Sequence, residues 1–123
     1  MTPRVVNLVE AFAKVPNYWC PCVGGDINEA QIKLAKFKGE FVWHHHDIED
    51  ELFIVTRGKL LMRLRTGDVT VNPGEYLIVP KGVEHCPVAL SDEVHVILLE
   101  PRTTLNTGNV VNERTVRDLA RIE

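Results

Sequence analysis

Between Ile32 and Leu99 the chain is a series of short apolar runs, each cut off after four to eight residues by a turn former. The runs are Ile32 to Phe37, Phe41 to His46, Leu52 to Thr56, Lys59 to Leu64, Asp68 to Val71, Tyr76 to Val79, Val83 to Leu90 and Val94 to Leu99. Lys38–Gly39, Arg57–Gly58, Thr66–Gly67–Asp68, Asn72–Pro73–Gly74 and Lys81–Gly82 punctuate them. Such runs are too short for helices and rich in Val, Ile, Leu and Phe, so they read as strands joined by tight turns. Even spacing predicts an all-β fold, an antiparallel barrel or jelly roll, rather than alternating strand–helix units.

The flanks differ. Residues 1–30 hold a short amphipathic helix, Asn7 to Val15, with Asn7 as N-cap and Pro16 as its stop, followed by an extended segment packed on the barrel. The barrel occupies 31–100. Residues 101–123 are more polar, with a loop from Thr103 to Asn112 and a short helix expected from Glu113. At 123 residues and 45% hydrophobic content this is one domain. A net charge of −3, with both signs spread along the chain, argues against nucleic acid as a partner. No window is apolar enough to span a membrane, and the first residues lack a basic-then-apolar export signal, so a cytoplasmic protein is expected. Three cysteines, Cys20, Cys22 and Cys86, then read as reduced structural thiols.

The chemistry gathers in two stretches. In an extended strand side chains alternate, so His44 and His46 share a face and His45 points the other way. Two imidazoles on one face can bite a single ion. Glu51 opens the next apolar run, and a hairpin returns it beside the histidine pair; His85 follows the turn Pro80–Lys81–Gly82. His44, His46, Glu51 and His85 are therefore the candidate metal ligands. Glu51, Phe53 and Val55 share one face, as do Val42, His44 and His46, which puts the ligands inside the barrel. The opposite face (Trp43, Leu52, Ile54, Leu61) is also fairly apolar, and expects cover from the second sheet's outer cover, the N-terminal helix or a partner subunit; a homodimer is the favoured assembly. His95 alternates with Ile97 and Leu99 and reads as a core or rim histidine rather than a fifth ligand.

At these residues the chain resembles the cupin superfamily. Its first motif, Gly, five residues, His–x–His, three or four residues, Glu, six residues, Gly, is met by Gly39, His44, His46, Glu51 and Gly58, with four residues rather than five after Gly39. Taking His45 first restores the five but puts Asp47 second. Its second motif is met by Gly74, Pro80, Gly82 and His85, with Ala89 in place of an Asn that is not a metal ligand. The run Lys38 to His44, with Glu100–Pro101 and Asn106–Thr107–Gly108, is similar to small single-domain bacterial cupins labelled mannose-6-phosphate-isomerase-like. The resemblance implies one divalent transition metal per chain, Mn, Fe, Ni, Zn or Co. It also implies a small-molecule substrate for oxygenase- or isomerase-type chemistry. The alternative is a non-catalytic cupin that binds a metal or small molecule as a sensor. Three imidazoles and a carboxylate leave one net positive charge and up to two open positions on such an ion.

A second catalytic group is not evident. Glu40, Tyr76 and Glu84 are candidate bases, and Asp47, Glu49 and Asp50 read as a solvated turn or an electronegative rim. Arg57, Arg63 and Arg65 could clamp an anion if they faced inward, but the alternation of Arg63 and Arg65 with Met62 and Leu64 sets them on a solvent face. An open mouth over the metal would favour turnover; one plugged by Tyr18–Trp19 would favour a structural role.

Overall fold

The computed structural model describes residues 2–123. One helix, α1 (Leu8–Ala13), precedes eight strands: β1 (Cys22–Ile27), β2 (Ala30–Phe37), β3 (Glu51–Arg57), β4 (Leu60–Leu64), β5 (Val69–Val71), β6 (Tyr76–Val79), β7 (His85–Ala89) and β8 (Val94–Pro101). They form a five-stranded sheet in the order β1-β2-β8-β3-β6 and a three-stranded sheet in the order β5-β4-β7. Every pair of strands is antiparallel, as expected of a jelly roll.

Strict alternation sorts the residues of the large sheet. On β3, Glu51, Phe53 and Val55 are buried, and on β8 so are Val94, Val96, Leu98 and Glu100. Their apolar members meet Leu60 and Met62 of β4 and Val71 of β5 in the main core between the sheets. A second cluster lies on the other face of the large sheet, where Ala11, Phe12 and Val15 pack on Cys22 and Leu34. Asn7 caps α1, its side chain accepting from the Glu10 N–H at 3.0 Å, and so fixes where the helix starts. The helix covers the outer face at β1 and β2, whereas Trp43, Leu52, Ile54 and Leu61, for which cover was expected, lie outside this cluster.

Three expectations need correcting. The extended stretch before residue 31 contains β1, an edge strand of the large sheet, because the β-bulge between Val23 and Gly25 and its two glycines hide the alternation. No helix begins at Glu113. Residues 101–123 instead run as an irregular strap held by side chains: Asn106 accepts from the Val116 N–H and donates to the Arg114 carbonyl. The strap ends against β1, where Val23 N–H donates to the Ala120 carbonyl and Ile122 N–H to the Val23 carbonyl, covering that edge.

The third correction concerns residues 41–46, which do not form a regular strand. They run beside β7 through bridges at Glu40–Val88 and His44–His85, four residues on one side against three on the other. The extra residue is a bulge. It breaks the expected phase upstream of His44, so Phe41 rather than Val42 is the buried residue there. Downstream the phase of two is restored.

Candidate metal centre

The bulged segment and β7 set the imidazoles in place. His44 and His85 exchange backbone hydrogen bonds, His44 N–H to the His85 carbonyl at 3.0 Å and His85 N–H to the His44 carbonyl at 2.9 Å. Gly82 N–H donates to the His46 carbonyl at 2.7 Å, so the Pro80–Lys81–Gly82 turn pins the second histidine. The start of β3 supplies Glu51. His44, His46, Glu51 and His85 are all buried, and one ligand atom from each lies within 4.8 Å of the others. The structure thus brings all four residues singled out from the sequence to one point. His45, as the alternation required, points away, with Nε2 against Asp47 at 2.9 Å.

The ring orientations suit an ion. Nδ1 of His44 lies 2.9 Å from the Val42 carbonyl, and Nδ1 of His85 lies 2.9 Å from the Val83 carbonyl. A carbonyl only accepts, so each Nδ1 carries the proton and each Nε2 presents a lone pair. Glu51 Oε1 lies 3.3 Å from His46 Nε2 and 3.4 Å from His85 Nε2, yet these three buried atoms have no hydrogen-bond partner. Buried polar atoms without partners are rare and costly, and three meeting at one point fit a cation that would satisfy them together. Burial, with neighbouring His85 adding to it, pushes the His44 imidazole down to about 4, so it is neutral and ligand-ready near pH 7. Burial opposes charge on Glu51, but contacts with His46 and His85 outweigh it and hold the carboxyl below the usual range.

The strap buttresses the histidines. Asn109 accepts from the His45 N–H through Oδ1 at 2.8 Å and donates its own N–H to the His45 carbonyl at 3.0 Å. Gly108 sits against the same carbonyl and the His44 ring, where a Cβ would have no space.

A cavity of about 30 Å³ adjoins His44 and Glu51, room for about two waters at the roughly 10–15 Å³ that each requires. Phe37, Phe41, Phe53 and Leu98 give it apolar walls, and Trp19 closes one side. Trp19 holds a left-handed backbone (φ 59°), stacks on Phe37 and Phe41 at 4.2 and 4.6 Å, and donates its indole N–H to the Lys38 carbonyl. Of the pair expected at the mouth, Trp19 thus reaches the cavity, whereas Tyr18 is turned out to donate to Glu93.

None of the three candidate bases lines this cavity. Glu40 pairs with Arg63 at 2.7 Å and Glu84 with Arg65 at 3.4 Å on the surface, and Tyr76 is 68% exposed on β6. Arg63 and Arg65 face outward over the Trp43 ring, as the alternation of β4 required. Besides Asn106 of the strap, the further polar residues that line it are Lys33 of β2 and Glu100 of β8, both buried and 3.2 Å apart. Burial and the Glu51 charge push the Glu100 carboxyl well above its ordinary range, against the pull of Lys33. The sequence reading missed both. The signal was there: Glu100 continues the inward phase of Val94, Val96 and Leu98, and Lys33 that of Ala35 and Phe37.

Residues 33–101, more than half of the chain, match the family model described as Cupin domain, and the chain belongs to that family. A cupin-2 domain containing protein from Shewanella frigidimarina is 41% identical, with a TM-score of 0.76 over 79% of this chain and 94% of that one. A Neisseria meningitidis protein is 27% identical, with a TM-score of 0.72 over 80% of this chain and 99% of that one. The uncharacterized protein YdbB of Bacillus subtilis is 41% identical over 61 residues, 49% of this chain and 54% of YdbB. The match therefore spans about half the length of that curated relative.

Proposed function

We propose that this cupin is a metal-dependent enzyme acting on a small organic molecule, with His44, His46, Glu51 and His85 holding one divalent transition ion. The observation that carries the reading is the convergence of unpartnered, buried His46 Nε2, His85 Nε2 and Glu51 Oε1 beside a walled cavity. An ion of this kind polarises a bound oxygen and stabilises negative charge that develops on it, here in a dry site where the effect is strong. The chain's own groups do the rest. Phe37, Phe41 and Phe53 exclude water, the carbonyls of Val42 and Val83 fix the tautomers of two ligands, and Glu100 stands beside Glu51 as a group able to hold or move a proton. A carboxyl in this position favours isomerase-type proton transfer over oxygenase chemistry. Three unpaired thiols suit a reducing compartment, and the cytoplasm is proposed as its location.

The second reading, a sensor that binds without turnover, draws on the small cavity and the stacked Trp19 that closes it. Elemental analysis of protein purified without chelator comes first. About one metal equivalent per chain is expected, with most of it lost in His46→Ala and Glu51→Ala and retained in His45→Ala. Equal loss in all three would overturn the ligand assignment. Isomerase and oxygen-uptake assays on the loaded protein then separate enzyme from sensor.

A further inference from the structure

We propose that the outer face of the large sheet joins two copies of this chain, each seating its helix α1 on β3 and β6 of the other about a two-fold axis. The inference is independent of the metal reading.

The pattern of the strands carries it. A sheet with one face toward water alternates apolar and polar residues. The small sheet obeys at Arg63, which β4 turns outward over Trp43. The large sheet does not. The residues that alternate with the buried Glu51, Phe53 and Val55 of β3 are Leu52 and Ile54. Register sets Ile78 and Tyr76 of β6 beside them on one side, and Leu99 and Ile97 of β8 on the other. These six neighbours include no charged group, which is the composition of an interface core rather than of a solvated sheet.

The cover over this face is incomplete. Helix α1 packs on Cys22 and Leu34, with Ile32 and Ile97 against the same cluster, and no residue of β3 or β6 joins it. Ile78 is 54% exposed and Tyr76 68%. The helix in turn is more apolar than its contacts require: Val9 is 82% exposed, and Val5 before it 99%. Leu8, Val9 and Ala13 border a groove of about 480 Å³ whose lining includes Thr56 and Arg57 of β3, so this flank of the helix faces the uncovered strands.

A ridge beside a trough on one surface is self-complementary. In a two-fold pair each contact is made twice with the roles exchanged, so the ridge of either copy fills the trough of the other. Size agrees. The helix, ~10 Å wide, with β8, β3 and β6 at ~4.8 Å spacing over about five residues of ~3.4 Å, gives a flat footprint of roughly 400 Å². Side-chain relief and the arm at Val5 and Val6 add to it, toward the ~800 Å² of accessible surface that each partner of a stable pair buries. An open apolar patch of several hundred Å² is itself the mark of an interaction site.

The test follows association of the full chain by analytical ultracentrifugation at tens of micromolar. Wild-type protein is expected to be dimeric. Val9→Asp and Ile78→Lys alter exposed side chains, so each should keep the wild-type circular dichroism and melt cooperatively. Each should nevertheless associate at least tenfold more weakly, because it sets a lone charge in an apolar contact. Mixing the two variants is the decisive step. With α1 of one copy on β6 of the other, the mixed pair joins the new carboxylate to the new ammonium and keeps one native contact. It should therefore associate at least tenfold more tightly than either variant alone. Variants of unchanged association, or a mixture no tighter than its components, overturn the proposal. So does a wild-type chain that stays monomeric, which would leave the face to a partner of another kind.

Discussion

Gly108 has no room for a side chain: a Cβ there would lie 2.2 Å from the His45 carbonyl oxygen and 3.1 Å from Cδ2 of His44, on a backbone at φ +55°. Gly39 is the useful contrast, since its φ is +68° but nothing lies within 4 Å of the added carbon. Gly39→Ala should therefore cost only the left-handed backbone penalty, about 1–2 kcal/mol. Gly108→Ala adds a collision with backbone and should cost at least about 3 kcal/mol. Only the second should also lower metal content, because the displaced carbonyl belongs to the residue between two ligands. Denaturant melts paired with elemental analysis check both statements. At this scale the four residues that gather at the candidate site were legible, because His–x–His, Glu51 and His85 are chemically distinctive and spaced as in the cupin motifs. Lys33 and Glu100 were not, because a single charged residue in a strand usually faces solvent, and only its neighbours' phase reveals otherwise.

Among elements, α1 and the segment after it are fastened to the barrel by a cluster on β8 and the turn before it. Phe12 stacks on His95 at 4.6 Å, His95 pairs with Glu93, and Glu93 accepts from the Tyr18 hydroxyl at 2.7 Å. Those bonds, that from Tyr18 first, hold the Glu93 carboxyl down to about 2 against an ordinary 4.5. Because the folded value is depressed, the stabilisation is complete above about pH 4.5 and is lost as pH falls through about 2. The stability difference between metal-free wild type and Glu93→Gln should accordingly shrink steadily as pH falls below 4.5. A difference that stays constant down to pH 2 would show that Glu93 does no such fastening. The strands of this fold were legible from turn residues and alternation, but the bulge at 41–46 and strand β1 were not, because a bulge shifts the phase on which the reading depends.

Across the whole molecule, the candidate site gathers side chains from separate elements of the two sheets. The 41–46 segment, the start of β3 and β7 each contribute residues to the cluster, so an ion held there would tie the two sheets together. Binding to the folded form alone stabilises it by about 2.7 kcal/mol when free metal stands at 100 times its dissociation constant. Chelator should therefore lower the melting temperature of wild-type protein by several degrees. His46→Ala should already melt low and respond little to either metal or chelator, as calorimetry would show. No helix among the described residues is long and apolar enough to cross a membrane. What the amino-acid order determined by itself was local: where most strands of the barrel lie, which residues of a regular strand share a face, and that three histidines and a glutamate of the right kind are present. These follow from turn chemistry and from the period of two, which need no knowledge of distant residues. Only the tertiary structure decided what lies beside what: the strap that seats Gly108 on the histidines, the helix that covers the outer face, and the meeting of Lys33 with Glu100 at the cavity wall. Those contacts join residues far apart in the chain, 67 positions in the case of Lys33 and Glu100, and their partners are chosen by strand order and packing rather than by any short stretch of sequence.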